Sequence, residues 1–334
     1  MRIAASHAGT DPGRKRRINE DSFVIAPPLF AVADGMGGAQ AGEVASALAA
    51  GALEESGANG GGERRVAELI QEANRRVHER ATTDAATAGM GTTITAALVE
   101  HDGRVVFGHV GDSRAYLLRD DKLEQLTNDH TLVAELVRRG ELSPGEAQVH
   151  PQRSVITRAL GTDPDVDVDT FAVDAQPGDV YLICSDGLSS MVDSRDIEEI
   201  LRRHRTDLEG ASRALIQAAN RGGGEDNITA VLFAVEEGEP GTGIIPPPDE
   251  HTREFAPVPE EEDTLHPEDG IAPPPSAPSA VDTMVVPASD IQAAIAAQEQ
   301  DAPQAGIGRH MLALLVILGL MAIIVVLVWW GLAR

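Results

Sequence analysis

The sequence predicts an α+β domain, a sandwich of antiparallel sheets covered by helices, followed by an acidic unstructured linker and one C-terminal membrane-spanning helix. Three observations predict it. Short β-rich runs bounded by turn residues alternate with long helical stretches up to about residue 236. Thirteen of the 20 prolines lie after Val235, in a stretch poor in aromatic residues. Finally, 22 uncharged residues run from Met311 to Leu332. The expected divisions are a domain over 1–236, a linker over 237–308 and an anchor over 309–334.

The first segment reads as strands at IAASHAG, DSFVIA and LFAVADG. A helix is expected over about 41–55, and a second over about 63–80, where Val66, Leu69, Ile70, Ala73 and Val77 recur on one helical face. The Gly-rich run 57–62 separates the two. TTITAALVE, VVFGHV, AYLLRD and KLEQL then follow, punctuated at Asp102-Gly103, Gly111-Asp112-Ser113 and Asp120-Asp121, which predicts an antiparallel meander. Residues 130–160 read as mixed helix and loop, and Pro177-Gly178 turns the chain into the strand VYLIC. An amphipathic helix over about 208–220 and the strand ITAVLFAVE close the domain.

The linker holds 16 acids against one base between residues 236 and 308, so it accounts for most of the net charge of −26. Such a chain has little to bury and is expected to act as a spacer; Thr264 and Thr283 read first as plain spacer residues and, as the alternative, as kinase sites or docking motifs for phosphothreonine readers. The apolar run after it would span about 33 Å as a helix, enough to cross a bilayer. Trp329 and Trp330 near its end suit a membrane interface. The N-terminus lacks the apolar core of a signal peptide, so a single-pass protein with a cytoplasmic domain is expected. An acidic surface repels phosphate backbones and excludes nucleic-acid binding as the main activity. Cys184, the one cysteine, sits in an apolar run and reads as a buried structural thiol.

The chemistry is expected from acids. Glu20-Asp21, Asp34-Gly35, Asp186-Gly187 and Asp226-Asn227 recur at the ends of expected strands, and Asp112 adds a fifth site. Any one pair reads as a turn, but together they suit a hard divalent cation, which takes oxygen ligands. His109 and His130 read as core or turn residues, and His150, before a proline, as a loop residue.

The runs Arg16-Arg17-Ile18-Asn19-Glu20-Asp21, Ala33-Asp34-Gly35-Met36-Gly37-Gly38, Gly89-Met90-Gly91-Thr92-Thr93, Gly111-Asp112-Ser113-Arg114, Ser185-Asp186-Gly187-Leu188 and Asp226-Asn227-Ile228-Thr229 resemble, in order and spacing, the motifs of the type 2C protein phosphatases. Met36 and the stretch from His150 to Gly161 resemble the bacterial branch. The resemblance implies a four-layer α-β-β-α sandwich with a binuclear Mn²⁺ or Mg²⁺ centre. It implies that Asp34 bridges the two ions, that the Gly35 carbonyl and Glu20 serve one, and that Asp186 and Asp226 serve the other. Asp112 with Asp186 would hold a third, weaker ion. Asp21 and Asn227 would support the ligands from behind, Arg16 would bind phosphate, and residues 132–153 would form a flap. Many eukaryotic members carry histidine where Met36 stands, so the leaving group's proton would need another source.

The implied function is hydrolysis of phosphoserine and phosphothreonine on proteins by metal-activated water, opposing a serine/threonine kinase near the membrane, with the enzyme acting as a monomer. Two alternatives compete: a regulatory phosphatase of a partner-switching protein, and a pseudo-phosphatase that only binds. The second would normally have lost a metal carboxylate, and Glu20, Asp34, Asp112, Asp186 and Asp226 are all present.

Overall fold

The computed structural model describes residues 1–37, 41–57, 61–238 and 284–285. Its strands are β1 (Arg2–Asp11), β2 (Asp21–Ala26), β3 (Leu29–Met36), β4 (Gly91–Thr92), β5 (Ile94–Val99), β6 (Arg104–Val110), β7 (Arg114–Arg119), β8 (Lys122–Gln125), β9 (Val155–Ile156), β10 (Asp169–Asp174), β11 (Val180–Cys184), β12 (Ile228–Glu236) and β13 (Met284–Val285). The helices are α1 (Ala41–Ser56), α2 (Gly62–Thr83), α3 (Leu132–Arg138), α4 (Pro144–Gln148), α5 (Asp186–Ser189), α6 (Ser194–Arg203) and α7 (Leu208–Gly222).

Two antiparallel sheets carry the domain, one in the order β1-β12-β11-β7-β8 and the other β10-β6-β5-β3-β2. Alternation of side chains along a strand gives each sheet two apolar faces, and three separate cores result. Phe30, Val32, Phe107, Tyr181, Ile183 and Phe233 pack between the sheets. Here Phe30 stacks on Phe233 at 4.4 Å between ring centroids, and Tyr181 on Phe233 at 4.8 Å. The outer face of one sheet meets α1 and α2 through Ala45, Leu53, Leu69, Ile70 and Val77. That of the other meets α6 and α7 through Ile197, Leu201, Leu208 and Leu215. The layers are therefore α-β-β-α, as the resemblance implied.

The expected meander is corrected. β5–β6 and β7–β8 are hairpins, but they belong to different sheets, because the chain crosses between them at Gly111-Asp112-Ser113. Gly111 has φ 111°, and a Cβ there would lie 2.6 Å from the Thr93 side chain. Only glycine makes that corner. The Asp120-Asp121 turn does form as expected, with φ of 51° and 62°, the twist a two-residue hairpin needs. Two helices had no forecast: the short α5, and α6, capped by Asp193 accepting from the Arg195 and Asp196 amides and burying Ile197 and Leu201.

Within the expected linker, β13 pairs in parallel with β9. The rest of the linker after Gly238 and the apolar run 311–332 lie outside the described residues. Among the described residues no helix is long and apolar enough to cross a membrane.

Candidate metal and phosphate site

The glycines of the motifs explain how the acids meet. Asp34-Gly35 does not form a turn at a strand end; it lies inside β3, where Asp21 and Asp34 are register partners. A Cβ on Gly35 would lie 2.1 Å from the Gly42 carbonyl oxygen and 2.6 Å from that of Glu20. Its absence lets the start of α1 and the 20–21 segment close on β3. A Cβ on Gly187 would likewise lie 2.1 Å from the Asn227 carbonyl oxygen, so this glycine brings the start of α5, with Asp186, against the entry to β12.

Hydroxyls fix the backbone around these acids. The Asp34 carbonyl accepts from the Thr93 amide at 2.9 Å and from Thr92 Oγ1 at 2.8 Å, while the Asp34 amide donates to Thr93 Oγ1 at 3.1 Å. Thr93 Oγ1 in turn lies 2.8 Å from Ser113 Oγ, next to Asp112. Asp21 Oδ2 accepts from Ser185 Oγ at 2.8 Å and from Thr229 Oγ1 at 2.6 Å. Its Oδ1 is buried and has no hydrogen-bond partner. Asn227 ties the opposite loop down: its Nδ2 donates to the carbonyls of Pro12 at 3.1 Å and Ile18 at 2.9 Å, and its Oδ1 accepts from the Glu20 amide at 2.8 Å.

The electrostatics are those of stacked negative charge. Burial, then Asp21, Asp186, Asp226 and Asp112, hold the Asp34 carboxyl well above the usual carboxylate range. Burial, then Asp112 and Asp226, do the same to Asp186. Burial pushes Asp112 up to about 7, with Asp129 adding to it, and Asp21 up to about 6 despite its two hydroxyl partners. Glu20 is raised by burial against the pull of Arg16. Arg16 stands at the rim, its Nη2 2.9 Å from Asp226 Oδ2, with both side chains partly exposed.

Asp34, Asp112, Asp186, Asp226 and Asp21 thus lie within electrostatic reach of one another, with Asp21 opposite Asp34 on paired strands, Gly35 against Glu20, Arg16 on Asp226, and Asn227 on the Glu20 amide. A buried group of acids, each disfavouring ionisation of the next, and a buried carboxylate oxygen with no donor suit cations of high charge and oxygen preference. Among the described residues no group of three or more His, Cys, Asp or Glu side chains is placed so as to hold a metal ion by itself.

The remaining candidates fall elsewhere. Met36 is buried against Ile156 and Ala159. His150 accepts from the Gln152 amide within its own turn. His109 is fully buried, 2.9 Å from Thr95 Oγ1 and 3.1 Å from the Asn128 carbonyl, and burial pushes it down to about 3. His130 accepts from the Gly111 amide at 3.0 Å and lies 3.1 Å from Asp169 Oδ2. Both histidines are core residues, as expected. Cys184 is fully buried, its thiol pushed up to about 12 by burial. The sequence reading had no role for Ser185, Thr229, Thr93 and Ser113, although all four lie inside quoted motifs. The serine before Asp186 and the threonine after Asn227-Ile228 were the available signals.

Comparisons with known proteins point the same way. The family profile "Protein phosphatase 2C" matches residues 13–228. The serine/threonine phosphatase stp of Listeria innocua is 43% identical over 235 residues, covering 67% of this chain and 92% of that one. The crystal structure of the Mycobacterium tuberculosis serine/threonine phosphatase PstP/Ppp superposes with a TM-score of 0.67 at 40% identity, over 70% of this chain and 100% of that one. A PstP catalytic domain solved in complex with two manganese ions gives 0.64 at 38% identity, over 70% of this chain and 99% of that one.

Proposed function

The chain belongs to the protein phosphatase 2C family and is a serine/threonine protein phosphatase dependent on Mn²⁺ or Mg²⁺, and from that premise we propose which of its residues do the work and where it is held. The observation that carries the proposal is the mutual electrostatic reach of Asp34, Asp112, Asp186 and Asp226 beside Arg16. When bound, the two cations supply an activated water and neutralise charge on the phosphoryl group.

Asp34, fixed through both backbone groups by Thr92 and Thr93, is suited to bridge the two ions. Asp186 and Asp226 would hold one of them, and the Gly35 carbonyl with Glu20 the other. Asp112, on the corner between the sheets, would hold a third. Asp21 and Asn227 support this set from behind, the first through Ser185 and Thr229, the second by fastening the 12–20 loop. Arg16 offers a planar fork that matches two phosphate oxygens, and its pairing with Asp226 keeps that fork turned toward the centre. Met36 cannot donate a proton; it packs against Ile156 and Ala159 and leaves protonation of the leaving alkoxide to another group.

The membrane placement is part of the same proposal. The span 311–332 would insert as a single helix, and the acidic linker would hold a cytoplasmic domain near membrane-bound phosphoproteins, including a serine/threonine kinase and its substrates. Turnover of a phosphothreonine peptide with Mn²⁺ against EDTA tests the chemistry. Fractionation of cells expressing the full chain, or the chain lacking 309–334, tests the anchor. Full-length protein in the soluble fraction would end the membrane reading without touching the phosphatase.

A further inference from the structure

The domain is acidic, with 37 acids against 24 bases in the first 235 residues, yet one surface beside the catalytic centre reverses that sign. A groove of about 650 Å³ runs between the end of β1 and one face of α7, lined among others by Asp11, Arg14, Arg213, Gln217, Asn220 and Arg221. Positions 213, 217, 220 and 221 recur at helical spacing, so α7 presents them together. Three guanidinium groups face one carboxylate. That carboxylate is already engaged, since Asp11 Oδ1 accepts from the Gly13 amide at 2.8 Å and from Asn220 Nδ2 at 3.1 Å. Arg213 pairs with exposed Glu209, whereas among the described residues Arg14 and Arg221 make no ion pair.

The groove shares its wall with the phosphate site. Gly13 and Arg14 begin the loop that carries Arg16, and the Arg14 amide donates to the Gly224 carbonyl at 2.8 Å, two residues before Asp226. A Cβ on Gly13 would lie 2.3 Å from the Asp226 carbonyl oxygen, so the two loops touch. A polypeptide whose phosphothreonine sits at Arg16 and the acidic centre can reach the groove with a neighbouring residue.

We propose that this groove is a second anion subsite, taking a phosphate or carboxylate side chain that flanks the scissile phosphothreonine on the same substrate chain. It rests on the phosphatase assignment and adds substrate selection to it. Guanidinium forks suit phosphate in particular, and exposed cations around a cleft draw in anionic chains.

The test uses the full chain with Mn²⁺ and four substrates: para-nitrophenyl phosphate, a singly phosphorylated phosphothreonine peptide, and peptides in which phosphoserine or glutamate is placed at successive positions on either side. Wild-type protein is expected to show a lower KM for at least one flanked peptide, by roughly tenfold for a phosphate contact. Arg14→Gln combined with Arg221→Gln should erase that difference while para-nitrophenyl phosphate and the singly phosphorylated peptide are turned over as before. The phosphoserine and glutamate arms tell which anion the groove takes. A wild-type protein indifferent to the flanking anion, or a double variant that keeps the preference, would overturn the proposal. Loss of turnover on all four substrates in the wild type would instead overturn the phosphatase assignment beneath it.

Discussion

Two buried polar regions lie on either side of the corner at Gly111, and they are balanced in opposite ways. Around His109 and His130 every ring nitrogen meets a protein partner, and Arg158 Nη1 donates to Asp169 Oδ1 at 2.6 Å beside them. Around Asp34 the acids outnumber the donors, and Asp21 Oδ1 has none. The first region is complete with protein alone; the second, on the reading proposed above, would acquire its balance from ions and carry the reactivity.

The largest effect should come from Asp34→Asn. It is expected to lower kcat for a phosphothreonine peptide by about 10³-fold, roughly 4 kcal/mol of barrier, without lowering the melting midpoint in EDTA. A midpoint several degrees lower would place Asp34 with the fold-bearing region. Metal alone should then divide the two regions. At about 100 times its dissociation constant, Mn²⁺ should stabilise the wild type by about 2.7 kcal/mol and Asp34→Asn by far less. Calorimetry that finds no heat of binding would erase the contrast.

His130→Ala breaks the other side. It leaves the Gly111 amide without its acceptor and should cost about 2 kcal/mol in urea unfolding, whether or not Mn²⁺ is present. The smallest effect is a slope. His109 titrates near 3 when folded and near 6.5 when unfolded, so the unfolded state binds more protons in between. Its contribution is intact above about pH 6.5 and is lost as pH falls toward 3. Relative to His109→Gln, the wild type should lose up to about 1.4 kcal/mol per pH unit in that window. The carboxylates, raised on folding, have the opposite sign, and taking the difference between these two proteins cancels them.

Much of this division was readable from residue order. The long helices had periodic apolar faces, and the strands were short β-branched runs, so both were foreseen to within a few residues. The crossing at Gly111-Asp112-Ser113 was not, because a hairpin turn and a passage between sheets use the same residue types. The acids were foreseen as one set of candidate ligands, while Asp34-Gly35 taken alone reads as a strand-end turn. Its glycine serves close approach to Gly42 and Glu20 instead, a contact that no local pattern encodes. Ser185 and Thr229 escaped notice for the same reason: they meet Asp21 across more than 160 residues of chain.

β1 has one neighbour in its sheet, β12, with Arg2 opposite Glu236 and Asp11 opposite Ile228. The first strand made by the ribosome therefore has nothing to pair with until the last strand of the domain has emerged, and closing that loop is slow by its length. Arg16 and Asp226 meet only at the same moment. A nascent or prematurely terminated chain thus carries most of the acidic residues before Arg16 and Asp226 can meet, and on the proposed reading dephosphorylation is expected only once synthesis has passed β12.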